Sequence, residues 1–573
     1  MSPHDAATDA GASSDLNGGA ALVRALERNG VDTVFGIPGV HNLEIYRHLP
    51  GSSIRHVAVR HEQGAGYAAD GYARASGRPG VCLTTSGPGA TNACTAAATA
   101  YADSVPVLFC APGPPIGLEG LDLGLLHEMK DQSAHFESLV TASVRPSSPD
   151  EIGAAVDEAF AGWRRARTRP VHLELPVDVL EGSWRPVDPG RADVTSVRRW
   201  PAAERLRAAF DAAGAAGDGA GDGEIGAVLD RAAKLLAAAT RPLLVLGGGA
   251  RRVGDGATRL AERLGALVLT TVNGKGVVPE THPLSLGASI RLPETRRIFQ
   301  SADVVFVVGS ELGDSDLWGV PVRTEAPVVR IDVDPHQLHK NIDAAVAVRM
   351  DAAAAVGALL ARLGDGPAPA AGAPTWARTA DAIRETLRKE ALADGAPYEA
   401  INRALHAALP DATIVGGDSA QVSYFGTAHF WPMGRAGQFL YPTGYATLGY
   451  GLPAAIGAKL ACPGTPVIAL VGDGGFLFTA QELLTAVEQR LALPVVIVDN
   501  HGYAEIRQGM EARGMVPMAV DRPAVDFAGL SRALGGRGVA VGSVEELCAR
   551  TLDALEADGP TVISMDVTTG VGE

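Results

Sequence analysis

A carboxylate and an amide stand at the ends of two apolar runs. Asp473 lies in Gly472-Asp473-Gly474-Gly475, after the run Pro466 to Val471. Asn500 lies in Asp499-Asn500-His501-Gly502-Tyr503, after the run Pro494 to Val498. The runs read as adjacent parallel strands joined through an amphipathic helical segment, Thr479 to Glu488. Hard oxygens at neighbouring strand ends suit a divalent cation such as Mg²⁺, which takes few protein ligands and completes its octahedron with phosphate oxygens and water. Glycines let the backbone come close to a diphosphate, and a helix opening there offers its first amides to the same anion.

A second constellation lies near the N-terminus. Arg60-His61-Glu62-Gln63-Gly64 follows the run ending at Val59 and opens a helix through Tyr72. Glu62 therefore projects from a strand end, where open α/β folds build their sites. Alone it would read as a solvated acid in a first helical turn. The turn Thr85-Ser86-Gly87-Pro88-Gly89-Ala90-Thr91-Asn92 follows the next strand and makes Glu62 a candidate site residue.

Elements to position these groups recur along the chain. Short β-branched runs alternate with helical patterns in three blocks, the signature of parallel sheets covered on both faces. The fold class is α/β, with three doubly wound parallel-sheet domains. Their expected extents are 18–185, 227–365 and 395–573, after a disordered tail at 1–17. Alanine- and glycine-rich stretches at 186–226 and 366–394 read as linkers. A length of 573 residues is too great for one core. The net charge of −16, with no basic run, excludes a nucleic-acid partner. No apolar stretch reaches the length of a membrane span. Cys82, Cys94, Cys110, Cys462 and Cys548 show no CxxC spacing and read as thiols of a reducing compartment, so a cytoplasmic protein is expected.

The order Glu62, Gly87-Pro88-Gly89-Ala90-Thr91-Asn92, Gly449-Tyr450-Gly451-Leu452-Pro453, then Gly472-Asp473-Gly474 to Asn500, resembles the acetolactate synthase/2-oxo-acid decarboxylase superfamily of thiamine diphosphate (ThDP) enzymes. The likeness covers nearly the whole chain. It implies an N-terminal pyrimidine-binding domain, a central domain and a C-terminal diphosphate-binding domain. It gives Glu62 the role of the catalytic glutamate that protonates the aminopyrimidine ring. Asp473, Asn500 and the Gly502 carbonyl become the Mg²⁺ ligands. Leu448 matches the residue that props the cofactor into a V, and Ala446 the one whose carbonyl accepts from the 4′ amine. Gly87, Pro88, Asn92, Gly472, Gly474, Gly475, Gly502 and Tyr503 fall at cofactor-contacting positions. Asp499 departs from the family, which often carries a second Asn there. Because the two cofactor ends are held by different subunits in this family, a homodimer at least, and a homotetramer by preference, is implied.

The reaction begins with loss of CO₂ from a 2-oxo acid; protonation then gives an aldehyde, and addition to a second carbonyl gives a carboligase product. Several loops, among them Val31 to His41, Tyr101 to Pro106 and Leu126-His127-Glu128 with Asp131-Gln132, resemble 5-guanidino-2-oxopentanoate decarboxylases. Decarboxylation of that acid to 4-guanidinobutanal, a step of arginine catabolism, is the implied activity, with an acetolactate synthase-like condensation as the alternative. A guanidinium tail calls for a carboxylate. Glu128, Asp131, Gln132 and Glu505 are the candidates for the substrate, with Asp499, Asp314 and Asp316 as further acids. Proton delivery calls for a histidine, and His41 and His127 stand in motif positions. The central Gly247-Gly248-Gly249 and Thr271 to Gly276 resemble places where acetolactate synthases hold FAD. Gly309 to Trp318 offers acids where those enzymes carry an arginine, which argues against bound FAD.

Overall fold

The computed structural model describes residues 16–186, 200–214, 222–364 and 375–568. Three parallel sheets follow one another. The first contains β1 (Thr33–Gly36), β2 (Arg55–Ala58), β3 (Gly80–Leu83), β4 (Val107–Gly113), β5 (Ser143–Val144) and β6 (Val171–Pro176), in the order β2-β1-β3-β4-β6-β5. The central sheet holds β7 (Pro242–Leu246), β8 (Leu267–Thr270), β9 (Val304–Val308), β10 (Val328–Asp332) and β11 (Val346–Arg349), ordered β11-β10-β9-β7-β8. The third contains β12 (Ile414–Gly417), β13 (Phe439–Leu440), β14 (Val467–Gly472), β15 (Pro494–Asp499), β16 (Arg537–Val541) and β17 (Thr561–Asp566), ordered β13-β12-β14-β15-β17-β16. The first and third sheets thus repeat one topology. Strands such as β7, β9, β14 and β15 are buried along their whole length, which explains their unbroken apolar sequences.

Each sheet reverses its winding beside its first strand, and ligands of open α/β sheets bind outside the strand ends at such a point. In the first sheet the reversal lies between β1 and β3, and in the third between β12 and β14. The loops leaving those strands carry His41, Ser86, Asp418 and Asp473.

Two domains share a core. The helix Glu62–Ser76, which begins at Glu62, packs on the helix Gly451–Ala461 through small residues, with Gly71 against Ala454 and Gly457 against Ala68. Tyr67 and Tyr450, both fully buried, stack edge to face between them. At the junction of all three domains, buried Arg74 bridges Asp70 and Asp103 and donates to Asn273 and the Tyr441 carbonyl.

Three expectations need correction. The stretch 186–226 is not all linker: residues 201–214 form a helix whose Ala202, Leu206 and Phe210, spaced one turn apart, are buried in the N-terminal core. The stretch 366–394 likewise holds the start of the helix Thr375–Ala408, with Trp376, Ala380, Leu387 and Ala391 buried against the central domain. Residues 187–199, 215–221 and 365–374 of these stretches lie outside the described residues, as does 1–15 of the expected tail. Asn17, however, caps the helix Gly18–Arg28 and is buried. Among the described residues no helix is long and apolar enough to cross a membrane.

Candidate active site

β14 and β15 pair in parallel, with Gly472 beside Val498, so their carboxyl ends deliver Asp473 and Asn500 side by side. The side-chain oxygen of Asn500 faces the Gly502 carbonyl at 3.0 Å and Asp473 Oδ1 at 3.1 Å, oxygen against oxygen. Turned over, the amide would donate to both. With the oxygen inward, the three positions would suit a cation: at Mg–O distances near 2.1 Å, cis ligands of an octahedron sit about 3.0 Å apart. Gly502 has φ +146°, and a Cβ there would collide with the Val520 carbonyl, so only glycine presents this carbonyl.

Burial raises the Asp473 pKa above the ordinary carboxylate value, and Arg522 opposes that effect. Arg522 Nε lies 2.5 Å from Asp473 Oδ2, and its Nη2 donates to Asp499 Oδ1. The acid that departs from the family pattern is therefore matched by a guanidinium, a residue the sequence reading missed because it lies 49 positions from Asp473.

The N-terminal half-site gathers at the reversal of the first sheet. His41 Nδ1 lies 2.6 Å from Ser86 Oγ, which lies 3.2 Å from His127 Nδ1; the rings are 5.2 Å apart. Three loops thus bring both expected histidines onto one serine. Burial, with His127 nearby, pushes the His41 pKa below its ordinary value. Gly87, at φ +54°, leaves room for His127: a Cβ there would stand 2.5 Å from the His127 carbonyl oxygen. Gln132 accepts from the Gly87 amide at 3.0 Å and donates to the Pro112 carbonyl, fixing that turn to β4.

Glu62 opens its helix with His61 as the cap and accepts from Asn92 Nδ2 at 2.9 Å. The preceding turn is held from the other domain. Glu482 accepts the amides of Arg60 and His61, both at 3.0 Å, and burial lifts its pKa to about 7. The loop Thr443–Gly449 is fastened at several points, among them the Gly444 amide, which donates to Asp103 at 2.9 Å. Tyr67 OH lies 2.7 Å from Thr447 Oγ1, and Asp418 accepts the Gly449 amide at 3.0 Å. Burial lifts the Asp418 pKa to about 6. Just before Thr447, Ala446 takes φ +50°, and between Thr447 and Gly449 Leu448 stays partly exposed.

Three family models match along the chain: the thiamine pyrophosphate enzyme N-terminal TPP binding domain over residues 16–135, the central domain over 229–359 and the C-terminal TPP binding domain over 420–565. The chain belongs to the thiamine pyrophosphate enzymes. A probable 2-ketoarginine decarboxylase, AruI, of Pseudomonas aeruginosa is 44% identical over 532 residues, covering 91% of this chain and 88% of that one. A probable acetolactate synthase large subunit of Methanocaldococcus jannaschii is 31% identical, over 96% and 92% of the two chains. An acetolactate synthase of Mycobacterium bovis is 33% identical, over 91% and 83%.

As a thiamine pyrophosphate enzyme, the chain carries its candidate substrate acids in different surroundings. Glu128 accepts the amides of Leu123 and Leu125 and closes its own loop. Asp131 caps the helix Gln132–Glu137. Glu505, on the helix Ala504–Glu511 just past the loop Asp499–Tyr503, is exposed and takes hydrogen bonds from Gln421 at 3.0 Å and Tyr424 OH at 3.2 Å. Tyr424 lies on a π-helical turn, Val422–Thr427, a local feature common at functional sites, and its ring meets Trp318 of the central domain. The pKa of Asp316, in the helical turn Asp314–Leu317 before Trp318, is raised to about 7 by burial, with Asp103 and Glu311 adding to the effect. Gln421, Tyr424 and Trp318 went unremarked in the sequence because no motif spacing marks them.

Proposed function

We propose that this enzyme is a ThDP- and Mg²⁺-dependent 2-oxo-acid decarboxylase acting on 5-guanidino-2-oxopentanoate, the acid also called 2-ketoarginine. The observation carrying the reading is the exposed Glu505 carboxylate, held beside the Asp499–Tyr503 loop by Gln421 and Tyr424. An exposed carboxylate suits a guanidinium tail. The name of the Pseudomonas relative points the same way.

When bound, ThDP supplies an acidic carbon and a sink for the electrons left behind by CO₂. The chain's own groups do the rest. Asp473, Asn500 and the Gly502 carbonyl hold Mg²⁺ against the diphosphate, with Gly472, Gly474, Gly475 and Tyr503 around it. Glu62 holds a proton at the aminopyrimidine ring nitrogen, and Gly87, Pro88 and Asn92 lie against that ring. Leu448 would support the cofactor from below and the Ala446 carbonyl would accept from its amine. His41, Ser86 and His127 form a chain along which a proton moves to the carbon vacated by CO₂.

The assembly is a homodimer at least, and a homotetramer by the family's habit. Val40, Leu43 and Leu126 are exposed beside the histidines, and Phe478, Ile506 and Met518 beside the metal loop. Apolar patches of this kind next to each half-site are suited to burial against a second copy. The acids of the loop Gly309 to Trp318 support a central domain without FAD.

Product analysis tests the reaction. The enzyme with ThDP and Mg²⁺ is offered 5-guanidino-2-oxopentanoate or pyruvate and followed by NMR. A guanidino aldehyde with little acetolactate supports the decarboxylase. Acetolactate from pyruvate as the main product would make the enzyme a carboligase, the alternative that two relatives' names represent.

A further inference from the structure

We infer that a cavity between the central and C-terminal domains binds a small organic oxyanion with an apolar body. The cavity has a volume of about 450 Å³, within the range of small-molecule sites, which favour domain interfaces. One wall is the helix Thr375–Ala408, interrupted by Pro397. It presents Arg384 and Arg388 one turn apart on one side of the proline, and Arg403 on the other. The facing wall runs from Ser285 to Leu292 and from Ala428 to Pro432, with Leu286, Leu292, Leu387 and Phe430 supplying apolar surface.

The charge does not balance inside. Lys275 is matched by Glu280 at 2.5 Å, and Arg384 by the exposed Asp381. Arg388 and Arg403 share the single carboxylate Glu399, at 2.7 and 3.4 Å, so one guanidinium is left over. In a chain of net charge −16, a cavity with surplus positive charge is a place for an anion. Guanidinium forks pair with carboxylates and phosphates in the same planar manner, so the chemistry fixed here is that of an oxyanion.

The wall is tied to the substrate side of the active site. Ala428 to Phe430 continues directly from the π-helical turn Val422–Thr427, which follows Gln421, a donor to Glu505. Lys275 Nζ donates to the Ala428 carbonyl at 3.0 Å. An occupant is expected to change the KM for the 2-oxo acid more than kcat. The binding claim itself does not rest on which reaction the enzyme performs.

The test uses holoenzyme with phenylacetate and phenyl phosphate as probes, read by titration calorimetry. Binding with a Kd below about 1 mM is expected for one probe, and which one identifies the carboxylate or the phosphate ester as the ligand class. The affinity should fall roughly 10-fold in R388Q/R403Q. Because losing both arginines also frees Glu399, A407L provides a second variant that narrows the cavity at an exposed lining position and keeps every charge. Weakening in A407L as well supports the site. Failure of both probes to bind, or unchanged affinity in both variants, overturns it.

Discussion

Asp499 and Arg522 are a charge pair built beside the proposed metal ligands, and a double-substitution cycle measures it. Arg522 reaches Asp473 Oδ2 at 2.5 Å while donating to Asp499, so removing Asp499 leaves an uncompensated guanidinium next to a dication. For a unit charge about 8 Å from Mg²⁺, the Coulomb term is about 1 kcal/mol at the dielectric of water and about 4 kcal/mol at an effective value of 20. D499N should therefore weaken Mg²⁺ binding by about 10-fold or more. R522Q should move the affinity the other way, since two carboxylates then face the ion. D499N/R522Q restores the charge and should return within about 3-fold of the parent. The assay is calorimetric titration of Mg²⁺ with saturating ThDP present. If D499N/R522Q binds Mg²⁺ as weakly as D499N, so that removing Arg522 recovers nothing, the pair is not compensating and the reasoning fails.

Other consequences follow from the same geometry. E62Q should keep ThDP affinity, yet slow C2–H/D exchange of the bound cofactor by about 10²–10⁴-fold; unchanged exchange in quenched NMR samples removes Glu62 from its role. Glu482 has a folded pKa near 7 against an ordinary 4.5, raised by burial. Its contribution to stability is therefore full below about pH 4.5 and lost as pH rises through 7, by about 3 kcal/mol. Denaturation midpoints between pH 5 and 8 should decline less in E482Q than in the parent, and parallel declines would contradict this. G87A should cost about 1–3 kcal/mol and push His127 off Ser86, because φ is +54° and the new methyl meets the His127 carbonyl. A melting temperature equal to the parent's would refute that strain.

What the sequence disclosed depends on how local each feature is. β7, β9, β14 and β15 announce themselves as unbroken apolar runs because both faces are covered. The edge strands β5, β11, β13 and β16 escaped notice: β5 and β13 have two residues each, and β16 is fully buried only at Val541. Alanine-rich composition hid the Leu206–Phe210 stripe and made a packed helix look like linker. Asp473, Asn500 and Gly502 were legible because two adjacent loops carry them. Ser86, Glu482, Arg522 and Gln421 act across the chain; Glu482 reaches Arg60 over 422 positions, a separation that leaves no spacing to read.

The measurement closest to the central claim is cofactor-dependent CO₂ release from two nearly isosteric acids. One is 5-guanidino-2-oxopentanoate; the other carries a neutral ureido group in place of the guanidinium. With Glu505 receiving the tail, kcat/KM should favour the guanidino acid by about 10²-fold, and E505Q should erase most of that preference. Equal rates for the two acids, or no CO₂ from either in the presence of ThDP and Mg²⁺, would contradict the account.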